Sequence, residues 1–168
     1  MTEIDVDTNL GGQPDSPAAE SAAPFHPAFV NDQAAAWMGV ELVRAEFGDV
    51  VIRMRLRDEM LNGFGMAQGG MIFAFADVAF ALACNDPHGD GSTITVASGV
   101  DVNFMNPGFS GRQLTATATL VNQTGRSGLY DIRVTQESGS GEEILAEFRG
   151  RSRTVPNPAA KSTSKGAP

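Results

Sequence analysis

Hydrophobic and polar residues alternate along much of this chain, and a period of two residues is typical of strands that bury one face. The segment Val50–Arg57 shows the pattern best, because Ile52, Met54 and Leu56 alternate with a valine and three arginines. Clusters of glycine, proline, asparagine, aspartate and serine separate such segments and indicate turns. The pattern predicts six strands, at Val40–Ala45, Val50–Arg57, Thr93–Phe104, Gln113–Asn122, Leu129–Glu137 and Ile144–Val155.

A different pattern covers Met71–Cys84, in which Asp77 is the one charged residue. The run is long for a strand, has no glycine or proline, and contains five alanines, which favour helix. We predict a helix here, and because it is apolar all round we expect it to be buried on all sides. A membrane span needs about 20 residues, so this run is too short for one. A shorter helix, capped by Asn31 or Asp32 and ended by Gly39, precedes the first strand.

The order of these elements predicts the fold class. A short helix and two strands, then one long helix, then four strands joined by turns are typical of an α+β protein. The simplest way to bury the long helix, at about residues 70–84, is to wrap an antiparallel sheet around it. Such a wrap leaves some helix surface that a second copy of the chain can cover. We predict one domain at residues 31–155, with disordered tails at 1–30 and 156–168.

Asp77 is the anomaly of the long helix. Burying an isolated carboxylate costs several kcal/mol unless it is paired or protonated, roughly speaking. No lysine or arginine lies within a helical turn of it. The structural explanation is an aspartate that caps a neighbouring element or meets a distant arginine. The functional explanation, which we favour, is a carboxylate held in an apolar site for chemistry.

Gly69 and Gly70 stand where the long helix begins, so their N–H groups are donors that the helix itself leaves unused. Such donors can polarise a carbonyl or bind an oxyanion. Asp77 follows eight residues after Gly69, which places it about 12 Å away along the helix axis. One carbonyl group cannot reach both positions. Two antiparallel copies of the helix would bring the amide of one subunit to the carboxylate of the other, which predicts an active site at a homodimer interface.

Composition narrows the function further. The formal net charge of the 168 residues is −8, which argues against nucleic acid as a general partner. The acidic N-terminus has no apolar signal-peptide core, and the single cysteine, Cys84, is predicted to pack in the core. We expect a cytoplasmic protein without a membrane partner. The two histidines are far apart in loop-like contexts, so no metal site is expected.

Two common motifs are set aside. Gly63 and Gly65 precede the helix as in a dinucleotide-binding turn, but Gln68 stands where the third glycine belongs, and the chain lacks alternating βαβ units. No G-x-S-x-G nucleophile elbow occurs. The arginines at alternate positions of the last strand are read first as a solvated face, and second as an anion site.

The stretch around the long helix resembles the hotdog-fold thioesterases of the phenylacetic-acid-degradation type. Their signature runs roughly L-N, a short spacer, H-G-G-x-x-F-x-L-A-D-x-A-F-A-x-A-x-N. This chain has Leu61-Asn62, then Gln68-Gly69-Gly70, Phe73 and the run FADVAFALACN at 75–85. Similarity continues through DVNF at 101–104 with Pro107-Gly108, LTATA at 114–118, GLYDI at 128–132 and FRGRS at 148–152, and covers about residues 29–155.

The resemblance implies a hotdog fold and hydrolysis of acyl-CoA thioesters, with aryl-acetyl or related short aromatic acyl groups as substrates of phenylacetate degradation. It implies a homodimer, usually paired into a homotetramer, and no cofactor, since coenzyme A is part of the substrate. It implies that Asp77 is the nucleophile or general base and that the Gly69 N–H polarises the thioester carbonyl. A polar residue at the Asn62 position helps to place the acyl group or the attacking water.

One departure from the signature is Gln68, where the family carries histidine. Glutamine can hydrogen-bond but does not titrate near neutral pH. Because Asp77 and the glycines are kept, we expect a working enzyme in which Gln68 takes over the contact. The shape of the acyl pocket is expected to depend on Phe64, Met66, Phe73 and the partner subunit.

The CoA end needs cations for its phosphates. Arg126 in a predicted turn and Arg151 on the last strand are the candidates, with Asn106 and Pro107 on a loop that contacts adenine or pantetheine. Gly70 is counted with the substrate site. Ser98, with Thr95 near it, either offers a hydroxyl to Asp77 or to water, or is an ordinary strand residue.

Two alternatives to hydrolysis remain. A hotdog dehydratase acting on hydroxyacyl-CoA relies on an Asp–His pair, and neither histidine here has the required spacing from Asp77. A non-catalytic module that binds acyl-CoA is the second alternative, to which Gln68 gives some weight.

Overall fold

The fold is seen in a computed structural model that describes residues 25–139 and 141–161. Six antiparallel strands form one sheet in the order β1-β2-β4-β5-β6-β3. Two α-helices accompany it, with a short 3₁₀ turn at Pro27–Phe29, another at Asp58–Met60 and a third at Pro158–Lys161. The elements are α1 (Gln33–Met38), β1 (Glu41–Glu46), β2 (Asp49–Arg55), α2 (Gly69–Cys84), β3 (Thr93–Phe104), β4 (Gln113–Thr124), β5 (Ser127–Ser138) and β6 (Gly141–Pro156).

The alternating pattern decides which face of the sheet is buried. In β2, Ile52 and Met54 are fully buried, whereas Arg53 and Arg55 between them are exposed. Ile52 pairs across the ladder with Ala116 of β4, so small and large apolar side chains share one layer. The other predicted strands are confirmed with ends that differ by a few residues, and the α+β class and hotdog architecture are confirmed.

Helix α2 lies across the buried face of the sheet and contacts all six strands. Phe75 is fully buried, and the Phe80 ring lies 5.4 Å from that of Tyr130 and 5.9 Å from that of Phe148. Gly150 of β6 makes room for this cluster, because a β-carbon built there would lie 2.7 Å from the Phe80 ring. The predicted helix is therefore the centre of the core, and it ends at Cys84 as expected.

One side of α2 is open, so the expectation that the helix is buried on all sides is wrong for the single chain. Five residues at spacings of three, four and seven share this side, which we call the open stripe: the exposed Gly70 and Ala81 and the half-buried Phe73, Ala74 and Asp77. Apolar sequence predicted burial, but one sheet covers only part of a cylinder, and the remaining side keeps its contact with water.

The ordered domain is longer at both ends than residues 31–155. His26 is buried, and its Nε2 lies 2.9 Å from the carbonyl oxygen of Asn85 at the end of α2. Strand β6 includes Pro156, and the Asn157 backbone N–H donates to the carbonyl of Ser92. The expected tails at 1–30 and 156–168 are therefore wrong for residues 26–30 and 156–157. Residues 1–24 and 162–168, the rest of those tails, lie outside the described part of the chain.

The edge strand β3 pairs with β6 along its whole length, and within residues 25–139 and 141–161 no strand pairs with its other side. Val96 in the middle of this strand is an exposed large apolar residue. An unpaired strand of twelve residues is a surface on which another chain can add hydrogen bonds.

Candidate active site

Asp77 lies midway along α2 on the open stripe and is half-buried. Within the described residues it forms no ion pair and no hydrogen bond through its side chain, so the distant-arginine explanation is not what the structure shows. Desolvation raises the pKa of this carboxyl above its ordinary value, and the negative charge of Asp32 raises it further. A carboxylate with no partner is free to accept a proton or to attack an electrophile.

The N-terminus of α2 presents the predicted amide donors. Gln68 precedes the helix in an extended conformation (φ −63°, ψ 127°), and its carbonyl accepts the first bond, from the N–H of Met71 at 2.8 Å. The N–H groups of Gly69 and Gly70 have no acceptor in the described chain. Two adjacent donors at the positive end of a sixteen-residue helix suit a developing oxyanion.

The loop before the helix is held by Asn62. Its side-chain oxygen accepts from the N–H groups of Phe64 at 2.9 Å and Met66 at 3.3 Å. Gly65 takes a positive φ of 75°, which a larger residue would adopt with strain. Asn62 therefore fixes the loop with its oxygen, while its amide nitrogen has no acceptor within the described residues. Gln68 is exposed, and its side chain makes no capping hydrogen bond.

An apolar groove of about 350 Å³ adjoins the Gly69 amide. The buried side chains of Ala67 and Ile72 line it, and so do the exposed Phe104 and Met105 at the end of β3. Asn106 and Pro107 lie on its rim, so the structure brings two of the predicted CoA-loop residues to the predicted donor. The full lining is Met66, Ala67, Gly69, Ile72, Phe104, Met105, Asn106, Pro107 and Gly108.

The other predicted substrate residues lie apart from this groove. Arg151 pairs with Asp101 through a 2.6 Å contact between side-chain nitrogen and oxygen, and Ser98 donates its hydroxyl proton to the Arg151 carbonyl at 3.0 Å. The hydroxyl of Thr95 is bonded to that of Thr154 rather than to Asp77. Arg126 is exposed in the β4–β5 turn. For Arg151 the solvated-face interpretation is therefore the better one.

Phe104 is the residue that sequence reasoning missed. A β-carbon built on Gly69 would lie 3.3 Å from the tip of the Phe104 ring, so this ring packs directly on the donor glycine. In the sequence it looks like the last apolar residue of an alternating strand. Its one signal is position, because a large aromatic residue stands immediately before the turn Asn106-Pro107-Gly108.

A larger cavity of about 430 Å³ lies at the other end of α2. Its lining includes Cys84 and Tyr130, and burial raises the pKa of each to about 12. Neither side chain ionises near neutral pH, so this cavity supplies no nucleophile. In the described part of the chain no group of three or more His, Cys, Asp or Glu residues is arranged to hold a metal ion. None of the helices in that part is long and apolar enough to cross a membrane.

A six-stranded antiparallel sheet around one long helix, with amide donors at the start of that helix, is the hotdog arrangement of thioesterases. A family model described as the thioesterase superfamily matches residues 64–142. The acyl-coenzyme A thioesterase PaaI of Escherichia coli K12 is 35% identical over 130 residues, which cover 77% of this chain and 88% of that protein. The chain therefore belongs to the thioesterase superfamily, as the signature predicted, and it is an enzyme of that family.

Two solved structures are similar to this fold. The structure of the E. coli PaaI protein, from the phenylacetic acid degradation operon, superposes with a TM-score of 0.68 and covers 76% of this chain and 87% of that one. A phenylacetic acid degradation protein PaaI from Thermus thermophilus is 29% identical, with a TM-score of 0.64, and covers 73% and 98% of the two chains. Both align with the hotdog core.

Proposed function

We propose that this thioesterase hydrolyses acyl-CoA thioesters, with aryl-acetyl or related aromatic and short-to-medium acyl groups, to the free acid and CoA. The observation that carries the proposal is a partly desolvated carboxylate without a partner, Asp77, on the same helix as two unused amide donors. The names of the E. coli and Thermus relatives point to the same chemistry and to phenylacetate degradation as its context. A cytoplasmic location accords with this role.

The site that we propose is shared by two copies of the chain. Gly69 and Asp77 are about 12 Å apart along one helix, too far for one carbonyl carbon to meet both. The open stripe and the unpaired edge of β3 are the surfaces that a second copy can cover. Two antiparallel α2 helices, packed through their stripes, would set each Asp77 against the other subunit's Gly69. A pair of such dimers would form the tetramer that the family resemblance implies.

In the proposed reaction the Gly69 N–H, with that of Gly70 beside it, stabilises the oxyanion that forms when the thioester carbonyl is attacked. Asp77 of the other subunit acts in one of two ways. As a nucleophile it bonds to the carbonyl carbon, the C–S bond breaks, and water hydrolyses the mixed anhydride. As a general base it takes a proton from water while the water oxygen bonds to that carbon, and CoA leaves as the thiolate.

Polar contacts near the donor place the reactants in this proposal. The amide nitrogen of Asn62 and the exposed Gln68 flank the helix start and are available to the acyl group or the attacking water. Gln68 supplies the hydrogen bond without a titrating group. Asn106 and Pro107 on the groove rim contact the CoA arm. Arg126, exposed and without an ion-pair partner among the described residues, is the better candidate for the phosphates, since Arg151 is paired with Asp101.

The test is thiol release from a panel of acetyl-, hexanoyl-, benzoyl- and phenylacetyl-CoA, with the acyl product identified by mass. We expect free CoA and free acid, with the aromatic substrates turned over best. A hydroxyacyl-CoA dehydratase would change the mass of the acyl group without releasing thiol. A binding module would retain intact acyl-CoA on the protein. Either of these results would overturn the proposed hydrolysis.

A further inference from the structure

We infer that Phe104 is a specificity-determining residue: its ring forms one wall of an acyl pocket beside the Gly69 amide and favours flat, bulky acyl groups over acetyl. This inference rests on the proposed function and names the acyl selection of that site. It concerns a side chain to which the signature around α2 assigns no part.

Geometry places the ring at the reacting centre. Phe104 is the last residue of β3 and pairs with Ala146 of β6, which fixes its backbone. The three ring atoms at its tip lie 3.3 to 3.6 Å from the position that a β-carbon on Gly69 would take. A carbonyl bound to the Gly69 N–H would therefore carry its acyl group within van der Waals reach of this ring.

The ring is more than a support for the glycine. Phe104 is 52% exposed, so about half of its surface faces outward while its tip touches Gly69. Its neighbours in the groove are the apolar side chains of Ile72, Met66 and Met105. The one polar side chain of the lining, Asn106, already donates to the Ile144 carbonyl at 2.8 Å.

This lining matches an acyl group rather than the pantetheine arm. Pantetheine carries two amides, which would lose hydrogen bonds in an apolar groove. An aromatic acyl group loses none and gains ring contacts, since offset or edge-to-face aromatic pairs contribute about 0.5–1.5 kcal/mol beyond burial. The groove volume of about 350 Å³ is ample for a phenyl ring.

The experiment compares Phe104→Ala and Phe104→Leu with the wild type on acetyl-CoA and phenylacetyl-CoA. We expect kcat/KM of Phe104→Ala to fall about 10- to 100-fold for phenylacetyl-CoA and less than about threefold for acetyl-CoA, the range by which an apolar pocket discriminates. Phe104→Leu, which keeps most of the volume but not the ring, should lie between. A matched control is Phe109→Ala, an exposed phenylalanine that does not line the groove, and its selectivity should equal that of the wild type.

Equal losses on both substrates would overturn the inference, because they would show that the ring only positions the Gly69 amide. If Phe104→Ala fails to fold, as judged by circular dichroism, Phe104→Leu decides by the same ratio. Binding of non-hydrolysable thioether analogues, ethyl-CoA and phenylethyl-CoA, separates this inference from the proposed function. A wild type that hydrolyses nothing would end the proposed hydrolysis. Loss of the preference for phenylethyl-CoA in Phe104→Leu would still support the acyl wall, and an unchanged preference would overturn it.

Discussion

The two ends of helix α2 treat their polar groups in opposite ways. At the C-terminal end the Asn85 side chain donates to the carbonyls of Ala81 and Thr95 and accepts from the Thr95 N–H, all within 2.9 Å, and the Asn85 carbonyl lies 2.9 Å from His26 Nε2. At the N-terminal end two amides have no acceptor in the described chain, and Asp77 has no partner there. Satisfied polar groups hold a fold together, whereas unsatisfied ones are available to a ligand.

The comparison is tested most severely at Asp77. Asp77→Asn keeps the shape but removes the nucleophile or base, so we expect kcat to fall by about 10²- to 10⁴-fold. The free energy of unfolding should not decrease, because a half-buried charge without a partner is lost. Thiol release and urea denaturation measure the two effects. Turnover close to that of the wild type would remove Asp77 from the chemistry.

Asn85→Ala should show the reverse behaviour. It leaves partly buried backbone groups of Ala81 and Thr95 without their partners, which costs about 1–3 kcal/mol in unfolding free energy. We expect kcat on phenylacetyl-CoA to stay within about threefold of the wild type, as for a change outside the reacting centre. Urea denaturation with a parallel thiol assay checks both. A large loss of kcat without loss of stability would contradict the structural role of this end.

The pH dependence of stability gives a smaller effect of definite sign. Because the pKa of Asp77 is raised in the folded state, the folded protein holds this proton more tightly than the unfolded chain. Above the folded pKa the charged carboxylate destabilises the fold, and this cost disappears as the pH falls through the folded pKa towards the unfolded one. Asp77→Asn should therefore be more stable than the wild type at neutral pH, with the difference shrinking in acid. A difference that grows on acidification would contradict the raised pKa.

The smallest expected effect is at Asp32, whose charge adds to the raised pKa of Asp77. Its carboxylate also caps α1, accepting from the Ala35 N–H at 2.9 Å. Asp32→Asn keeps this cap, since asparagine is an equally good N-cap, but it removes the charge. The acid limb of kcat/KM, which reports the carboxylate form of Asp77, should move to lower pH. A limb that moves to higher pH would contradict this electrostatic link.

Much of the fold follows from the sequence because local pattern and global architecture agree. Alternation predicted strand β3 with its observed bounds, Thr93–Phe104, and the all-apolar run predicted α2 to its last residue, Cys84. The helix begins two residues earlier than Met71, because Gly69 and Gly70 take helical conformation at its first turn. A glycine pair predicts either a turn or a helix start, and only the chain around it decides.

The site was less predictable, because it depends on which residues meet across strands. A period of two shows that Arg151 points outward, but only the pairing of β3 with β6 shows that Asp101 neutralises it. The contact of Phe104 with Gly69 joins residues 35 positions apart, and no local pattern encodes it. Asp77, in contrast, was visible as one charge in an apolar helix. The residues that sequence reasoning finds are those whose own neighbours make them anomalous.

The measurement that tests the central claim most directly is subunit mixing between two inactive variants. Asp77→Asn removes the carboxylate, and Gly69→Pro removes the amide donor at the first helical position, where proline is tolerated. In an equal mixture half of the dimers are hybrids with one intact site each, so a shared site predicts recovery of about a quarter of wild-type activity. If Asp77 and Gly69 served the same chain's site, every subunit in the mixture would lack one of the two groups. The mixture would then stay as inactive as its components, and that result would contradict a site shared between subunits.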